Sequence, residues 1–221
     1  MKTVLITGAS SGIGESLAEI FLKQGWTVIG ANRRKENKFE EHTNFESVLL
    51  DLSDVQSFEE IKKKFYTENI KLDILINNAG IGPDLGHTEP EFSSFQKTIE
   101  VNFTGTVFFT EMILPFLKTN AMLINISSIM GSIDVCSSFG SPAYRMSKAA
   151  LNMYTKLLSN RLTDKKVASI HPGWVRTNIS KSNVEGRLSS EESAARIRQF
   201  MNGEFESGIF WDVESNEKLN W

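Results

Sequence analysis

The feature that most constrains the fold of this chain is a regular alternation between short apolar runs and longer segments with helical spacing. The apolar runs are rich in β-branched residues, which favour strands, and they are apolar on both faces. Such strands are typical of parallel sheets that helices cover on both sides. The alternation predicts an α/β protein with a three-layer, doubly wound parallel sheet, the Rossmann fold, in a single domain that spans residues 1–221.

The same pattern sets the expected boundaries. Predicted strands cover residues 3–6, 27–31, 47–50, 74–76, 122–126 and 167–170. Predicted helices cover residues 13–24, 57–66, 92–116 and 142–161. Beyond them, the sequence predicts a polar loop over 177–188, a helix over 189–201 and a last strand over 208–211, and the tail to Trp221 has no predicted structure.

Composition and charge argue against several classes of partner. The chain has 24 lysines and arginines against 27 aspartates and glutamates, and the basic residues do not cluster, so no nucleic-acid partner is expected. No apolar stretch approaches the ~20 residues of a membrane-spanning helix, so no membrane partner is expected. The single cysteine, Cys136, allows no intrachain disulfide. With no export signal recognisable, we expect a cytoplasmic protein.

The three histidines, His42, His87 and His171, are scattered along the chain. Metal sites need several ligands at characteristic spacings, and none of these histidines has a cluster partner in the sequence. We therefore predict no metal site. A structural role for His171 is favoured over a role as a general base.

A glycine-rich turn follows the first predicted strand. Gly8, Gly12 and Gly14 have the spacing GxxxGxG, and a helix follows. Gly8 permits a sharp turn, Gly12 lets backbone approach a diphosphate, and Gly14 lets the helix pack on the strand. The N-terminus of that helix offers free N–H groups to phosphate, so the turn is predicted to bind a dinucleotide. The alternative is a glycine-rich turn that binds nothing. The residues of this predicted phosphate site are Gly8, Ser10, Ser11, Gly12, Ile13 and Gly14.

The second predicted strand ends in basic rather than acidic residues. Domains that bind NAD usually place an acid here to hold the ribose hydroxyls. This chain has Asn32, Arg33 and Arg34, and no acid before Glu36. Guanidinium groups suit a 2′-phosphate, so NADP(H) is predicted as the preferred cofactor and NAD(H) is less favoured. The alternative is that the arginines are solvated loop charges.

A tyrosine and a lysine stand four residues apart in a predicted helix. Tyr144 and Lys148 therefore lie on one helix face. A free phenol titrates near 10, and a nearby ammonium is expected to lower that pKa, which would make the tyrosine a usable acid or base. Taken alone, Tyr-xxx-Lys also occurs by chance in helices.

Taken together, these motifs resemble the short-chain dehydrogenase/reductase family. The glycine turn, Asn77-Asn78-Ala79-Gly80 and Tyr144 with Lys148 occur in the family's order and spacing, from residue 3 to about residue 178. The resemblance implies that Ser128 hydrogen-bonds the substrate oxygen, and that Asn102 braces a water linking Lys148 to solvent. It also implies cofactor contacts along the cleft, to which Tyr144 and Lys148 contribute as well. The remaining implied contacts are Asp51, Leu52, Asn78, Ala79, Gly80, Pro172, Gly173, Val175 and Thr177.

Within the family, the chain resembles the C-factor/sniffer-type carbonyl reductases. The matching segments are 145–153 and 171–177, together with a tail that ends in Trp221. The match departs after Thr177, where residues 177–201 are expected to form a substrate lid. The resemblance leaves a monomer, a homodimer and a homotetramer open.

Two functions of different classes remain. The first is an NADP(H)-dependent oxidoreductase that moves hydride between nicotinamide and a small carbonyl or secondary alcohol substrate. The second is an NADP(H)-binding signalling or sensor protein with little turnover. The complete set of Asn102, Ser128, Tyr144 and Lys148 favours the enzyme, because a pure binder has no need of it. Sugar-nucleotide epimerisation is disfavoured because such enzymes usually carry a longer C-terminal substrate domain.

Overall fold

A computed structural model describes residues 1–34 and 38–221 of the chain, apart from the side chains of residues 181 and 182. The described strands form one eight-stranded sheet in the order β3-β2-β1-β4-β5-β6-β7-β8. Its strands are β1 (Thr3–Thr7), β2 (Thr27–Asn32), β3 (Phe45–Leu49), β4 (Leu72–Asn77), β5 (Leu117–Ile126), β6 (Lys166–His171), β7 (Ile209–Asp212) and β8 (Glu217–Lys218).

The sheet confirms the predicted fold class. All neighbouring strands from β3 to β7 pair in parallel. The strand order reverses between β1 and β4, which is the switch point where doubly wound sheets open a ligand crevice. The short β8 pairs with β7 in the antiparallel direction. Sequence reasoning did not predict β8, because two residues carry no usable periodicity.

Helices flank both faces of the sheet, with bounds close to those predicted except in one place. The predicted helix over 92–116 is divided into four parts. They are α3 (Phe92–Ile99), a π-helical turn over Glu100–Gly105, α4 (Thr106–Ile113) and a 3-10 turn over Leu114–Phe116. Pro115 lacks an N–H and so ends the α-helical bonding. At Gly105 a Cβ atom would lie 1.9 Å from the Leu52 carbonyl oxygen, so only glycine lets the helix approach the loop after β3. The α-helices are α1 (Gly12–Lys23), α2 (Gln56–Thr67), α3 (Phe92–Ile99), α4 (Thr106–Ile113), α5 (Pro142–Arg161) and α6 (Ser190–Asn202).

Two apolar cores fix the layers. One lies between the sheet and helices α2, α4 and α5, where Phe58 meets Phe109 edge to face with ring centroids 5.4 Å apart. The other lies between the sheet and helices α1 and α6, and includes Phe21 and Ile197. Burial of these large side chains is the main stabilising contribution to the fold.

The segment expected to form a lid contains two helical elements and a bridge at its start. The predicted loop over 177–188 contains a 3-10 helix, Lys181–Glu185, which was not predicted. Ser189 and Glu192 form a capping box that starts α6, as the sequence pattern indicates. Val175 bridges Leu188, so the two ends of the predicted loop lie side by side.

The C-terminal residues form a clasp, defined here as Asn220 and Trp221 with the partners they hold. The Trp221 ring stacks on Phe210 of β7 with centroids 5.4 Å apart. The Trp221 carbonyl accepts the Asp134 N–H at 3.2 Å. The Asn220 carbonyl accepts the Ser132 hydroxyl at 2.8 Å. The clasp therefore fixes the loop that follows β5.

No helix in residues 1–34 and 38–221 is both long enough and apolar enough to cross a membrane. Within the same residues, no three or more His, Cys, Asp and Glu side chains gather into a group suited to a metal ion.

Candidate active site

A cleft of about 1790 Å³ runs across the carboxyl ends of the parallel strands, where the fold predicts a ligand site. All the predicted site residues line it except Gly14 and Asn102, which lie behind the wall. The lining residues from the prediction are Gly8, Ser10, Ser11, Gly12, Ile13, Asn32, Arg33, Arg34, Asp51, Leu52, Asn78, Ala79, Gly80, Ser128, Tyr144, Lys148, Pro172, Gly173, Val175 and Thr177.

The glycine turn between β1 and α1 has the geometry of a phosphate cradle. Gly8 and Gly12 have φ values of 71° and 58°, which side chains with a Cβ rarely adopt. A Cβ on Gly14 would lie 2.2 Å from the Gly8 carbonyl oxygen, so the helix can start this close to the strand only with glycine. The N-cap residue Ser11 makes no side-chain capping bond. The first N–H groups of α1 are thus left without a side-chain cap and suit an anionic ligand.

The side chain of Thr7 supports the glycine turn, a role that the sequence did not predict. The Thr7 hydroxyl accepts both the Asn78 and the Ala79 N–H groups at 3.0 Å. The Asn78 amide in turn donates to the carbonyls of Thr7 and Gly8, at 3.0 and 3.2 Å. Asn78 was predicted to contact cofactor, and its amide nitrogen here joins β1 to β4. The sequence feature that could have identified Thr7 is its position at the end of the first strand, directly before the glycine turn.

The far end of the cleft, beyond β2 and β3, carries one buried amide, Asn32, and two exposed arginines. Asn32 is 2% exposed, and neither polar atom of its side chain has a partner among the described residues. Arg33 and Arg34 are exposed, and no ion pair within the described part of the chain involves either. Two hydrogen bonds from Ser53 and, after them, the charge of Arg33 hold the pKa of Asp51 below its usual value. This end suits an anionic ligand that brings its own hydrogen-bonding groups.

Asn102 supports the site without lining it. It lies in the π-helical turn and is 1% exposed. Its amide oxygen accepts the Ile81 N–H at 2.8 Å, and its amide nitrogen donates to the Ile81 carbonyl at 2.8 Å. A bond of 3.3 Å to the Ser147 hydroxyl links it to α5. Asn102 therefore fixes the loop after β4 against the helix that carries Tyr144.

Tyr144 and Lys148 lie together on the inner face of α5, as their spacing predicts. The Lys148 ammonium is 5.6 Å from the centre of the Tyr144 ring and donates to the Ile126 carbonyl at 2.8 Å. Burial lowers the pKa of Lys148 to about 8. Lys148 is thus a cation held in a poorly solvated place.

The expectation that Lys148 acidifies Tyr144 is wrong for the protein's own groups. Burial, and then the charge of Asp84, raise the pKa of Tyr144 to about 12. Desolvation disfavours the charged phenolate, and it is the largest effect on the pKa of Tyr144. The phenol therefore stays protonated at neutral pH.

Ser128 lies two residues beyond the end of β5 and lines the cleft together with this pair. Its hydroxyl accepts the Met130 N–H at 3.1 Å and caps a short 3-10 helix, Ile129–Gly131. A Cβ on Gly131 would lie 2.7 Å from the Lys148 carbonyl carbon, so the turn packs directly on α5. This close packing places the hydroxyl on the same cleft wall as Tyr144.

The wall formed after β6 and β7 contains residues that the sequence did not assign to cofactor or substrate. His171 is 7% exposed, burial lowers its pKa, and its Nδ1 has no partner in the described chain. Glu214 accepts the Trp174 N–H at 3.0 Å and pairs with Arg187. Glu214 and Trp174 line the cleft because β7 ends beside β6, a neighbour relation that is not visible in the sequence.

Comparisons with known proteins agree with this geometry. A family model described as short chain dehydrogenase matches residues 2–188. The chain is 27% identical to the 3-oxoacyl-[acyl-carrier-protein] reductase of Thermotoga maritima over 223 residues, covering 90% of this chain and 89% of that protein.

Solved structures give the same result. The carbonyl reductase Sniffer of D. melanogaster superposes with a TM-score of 0.89 at 28% identity, covering 100% of both chains. The NADPH-bound carbonyl reductase from chicken fatty liver superposes with a TM-score of 0.89 at 27% identity, covering 100% of this chain and 94% of that one. The predicted resemblance to carbonyl reductases is confirmed. The chain belongs to the short-chain dehydrogenase/reductase family, whose members are oxidoreductases that bind a nicotinamide cofactor.

Proposed function

We propose that this protein is an NADP(H)-dependent carbonyl reductase, which interconverts a small carbonyl compound and its alcohol with Tyr144 as the general acid and base. One observation carries the proposal. Ser128, Tyr144 and Lys148 line the same cleft as the glycine turn after β1, with Asn102 fixed directly behind them. The mutual position of acid, hydrogen-bond donor and cofactor cradle is what carbonyl reduction needs.

The residues of the cleft fit the cofactor that the proposal requires. The uncapped N-terminus of α1 and the two left-handed glycines suit a diphosphate. Among the described residues the buried Asn32 side chain has no hydrogen-bond partner, and an adenosine moiety would provide one. When bound, the reduced nicotinamide supplies a hydride for the carbonyl carbon.

The chain's own groups would act on the substrate oxygen. Tyr144 is protonated at neutral pH and would donate its proton to that oxygen as the carbon is reduced. The Ser128 hydroxyl would donate a hydrogen bond to the same oxygen, where negative charge develops. Lys148, held by the Ile126 carbonyl, would orient the nicotinamide ribose. Asn102 would keep the loop after β4 in place through Ile81.

The preference for NADP(H) over NAD(H) rests on Arg33 and Arg34. Both are exposed at the end of the cleft beyond β2, with no ion pair inside the described chain to occupy them. Guanidinium groups recognise phosphate through two parallel hydrogen bonds. The NADPH bound to the chicken carbonyl reductase supports the same assignment.

The experiment is a panel of aliphatic and aromatic aldehydes and ketones, each offered with NADPH while nicotinamide absorbance is followed. We expect substrate-dependent loss of absorbance, slower with NADH at equal concentration. Tight NADPH binding with no oxidation by any carbonyl or reverse reaction with alcohols would overturn the proposal and favour a sensor that binds NADP(H) with little turnover.

A further inference from the structure

One polar side chain on the inner face of α5 is deeply buried and has no step assigned to it in the proposed reaction. Asn152 follows Lys148 by four residues, as Lys148 follows Tyr144, so the three side chains share one face of the helix. Asn152 is 2% exposed. A buried amide is costly unless its polar atoms are bonded, so the contacts of Asn152 indicate its role.

Asn152 connects the helix to the turn that carries Ser128. Its amide nitrogen donates to the Gly131 carbonyl at 3.1 Å. Gly131 ends the 3-10 helix that Ser128 caps, and its N–H donates to the Ser128 carbonyl at 2.9 Å. One hydrogen bond therefore joins the helix face that carries Tyr144 and Lys148 to the segment that carries Ser128.

A third element fixes the direction of the Asn152 amide. The Ser169 hydroxyl, from β6, donates to the amide oxygen at 2.6 Å. A carbonyl oxygen can only accept, so the amide nitrogen must face Gly131 and the amide oxygen must face Ser169. Ser169 is fully buried and lies opposite Asn125 of β5 in the sheet. The donor to Gly131 thus takes its orientation from the sheet.

Two other bonds support the same segment in a different way. The Ser127 hydroxyl donates to the Lys148 carbonyl at 3.4 Å, and the Ser132 hydroxyl donates to the Asn220 carbonyl at 2.8 Å. Both bonds start from side chains of the segment itself, whereas Asn152 holds its backbone from the helix. Because an unpaired buried carbonyl is costly, a turn without this donor would shift towards another one and move the Ser128 hydroxyl with it.

We propose that Asn152 is a positioning residue for carbonyl reduction, which holds the Ser128 hydroxyl at the place relative to Tyr144 that a shared substrate oxygen requires. This inference rests on the proposed function. Ser128 would donate a hydrogen bond and Tyr144 a proton to the same oxygen atom, so their separation must be fixed. A misplacement of about 1 Å can cost about 10²-fold in rate. The bond from α5 to the turn restricts that movement.

The first test observes the turn directly and needs no turnover. Asn152→Leu replaces the amide with an apolar side chain of similar size and removes both of its bonds. Hydrogen exchange followed by NMR should show the Met130 and Gly131 N–H groups exchanging about tenfold faster. Unchanged exchange of these two groups would overturn the inference.

Thr110→Val is the matched control for this test. Thr110 is fully buried on α4, and its hydroxyl accepts the Asn77 amide at 2.8 Å outside the cleft. The control also loses a buried hydrogen bond, and it should leave the exchange of Met130 and Gly131 as slow as in the unmodified protein. Equal acceleration in the two variants would show a general loss of stability and would contradict the inference.

The second test is a double-mutant cycle on kcat. Asn152→Leu should lower kcat by about 10–100-fold and leave NADPH affinity near that of the unmodified protein, because Asn152 lies outside the cleft. In a Ser128→Ala background the hydroxyl that Asn152 positions is absent, so the same substitution should lower kcat by no more than about twofold further. Equal losses in the two backgrounds would overturn the inference.

A second variant keeps the amide and releases its orientation. Ser169→Ala removes the hydroxyl that bonds the Asn152 oxygen. It should lower kcat by about threefold to tenfold, less than Asn152→Leu, and this loss should also disappear in the Ser128→Ala background. If Asn152→Leu fails to fold, Ser169→Ala supplies the same measurements, and a kcat equal to that of the unmodified protein would overturn the inference.

The inference and the proposed function fail in different ways. If the unmodified protein reduces carbonyls and the losses from Asn152→Leu and Ser128→Ala simply multiply, the inference alone is overturned. If the unmodified protein binds NADPH and turns over no carbonyl or alcohol, the proposed function is overturned, and the role of Asn152 in the reaction with it.

Discussion

The two ends of the cleft are built in opposite ways. At the end beyond β2, Asn32 is buried without partners and Arg33 is exposed without an ion pair in the described chain. At the end beside α5, Asn102 and Lys148 are buried and bonded to backbone carbonyls. The first end keeps its polar groups available for a ligand. The second uses them within the protein, which fixes the geometry of the reacting groups before any substrate arrives.

The largest effect is expected at the end of the cleft beside α5, which we call the reactive end, when its proposed acid is removed. Tyr144→Phe removes the proton donor and should slow carbonyl reduction by about 10²–10⁴-fold, while NADPH affinity stays near that of the unmodified protein. Steady-state kinetics and a fluorescence titration with NADPH measure the two quantities. Tyr154→Phe is the control, because that phenol bonds to Glu111 outside the cleft. Full turnover by Tyr144→Phe would remove the proposed mechanism.

The next effect concerns the hydrogen bond to the substrate oxygen. Ser128→Ala should lower kcat by about 10²–10³-fold, the usual cost of one lost donor to a developing oxyanion. Ser127→Ala tests the neighbouring hydroxyl, which faces the Lys148 carbonyl at 3.4 Å and should change kcat far less. Equal losses in both variants would mean that the turn after β5, rather than one hydroxyl, is what matters.

A third prediction concerns Lys148, whose buried charge lowers the stability of the folded protein while it serves the proposed function. Because burial lowers the pKa of Lys148 to about 8, its charge destabilises the folded state at pH 7. Lys148→Met should raise the free energy of unfolding by roughly 2–3 kcal/mol at pH 7, less the bond lost at Ile126, and should also slow carbonyl reduction. Denaturant unfolding measures the first effect, and Lys166→Met, which loses a similar bond to the Phe205 carbonyl, is the control.

The same buried lysine predicts a pH dependence of stability. Between the folded pKa of about 8 and the model value of 10.5, the unfolded chain binds the lysine proton and the folded protein does not. The free energy of unfolding should therefore rise with pH across that window. The rise attributable to Lys148 should be missing in Lys148→Met, and an identical slope in both proteins would contradict the burial argument.

The smallest expected effect is on cofactor preference, at the end of the cleft beyond β2, which we call the open end. Arg33→Ala should weaken NADPH binding by about 10–100-fold, the range of a lost charge-assisted hydrogen bond, and should leave NADH binding nearly unchanged. Isothermal titration with both cofactors measures the difference. Arg161→Ala, which breaks an ion pair with Glu111 away from the cleft, should change neither affinity. A preference of the unmodified protein for NADH would contradict the assignment of the open end.

The sequence predicts the sheet and most of the cleft because both depend on local patterns. Apolar runs locate the strands, and the glycines after β1 mark the turn by their spacing. Asn152 and Thr7 escaped prediction because their roles come from contacts 21 and 71 residues away in the chain. The pKa of Tyr144 was predicted in the wrong direction for a related reason. Spacing shows that a lysine is near, and burial, which decides the sign here, depends on the whole fold.

The clasp at Asn220 and Trp221 also links the last residues of the chain to the reactive part of the cleft. Ser132, four residues beyond Ser128, finds its partner in Asn220, which is 88 residues later in the chain. The turn that presents the Ser128 hydroxyl thus takes part of its support from the far end of the described chain. The geometry of the reacting groups therefore depends on the C-terminal residues as well as on α5.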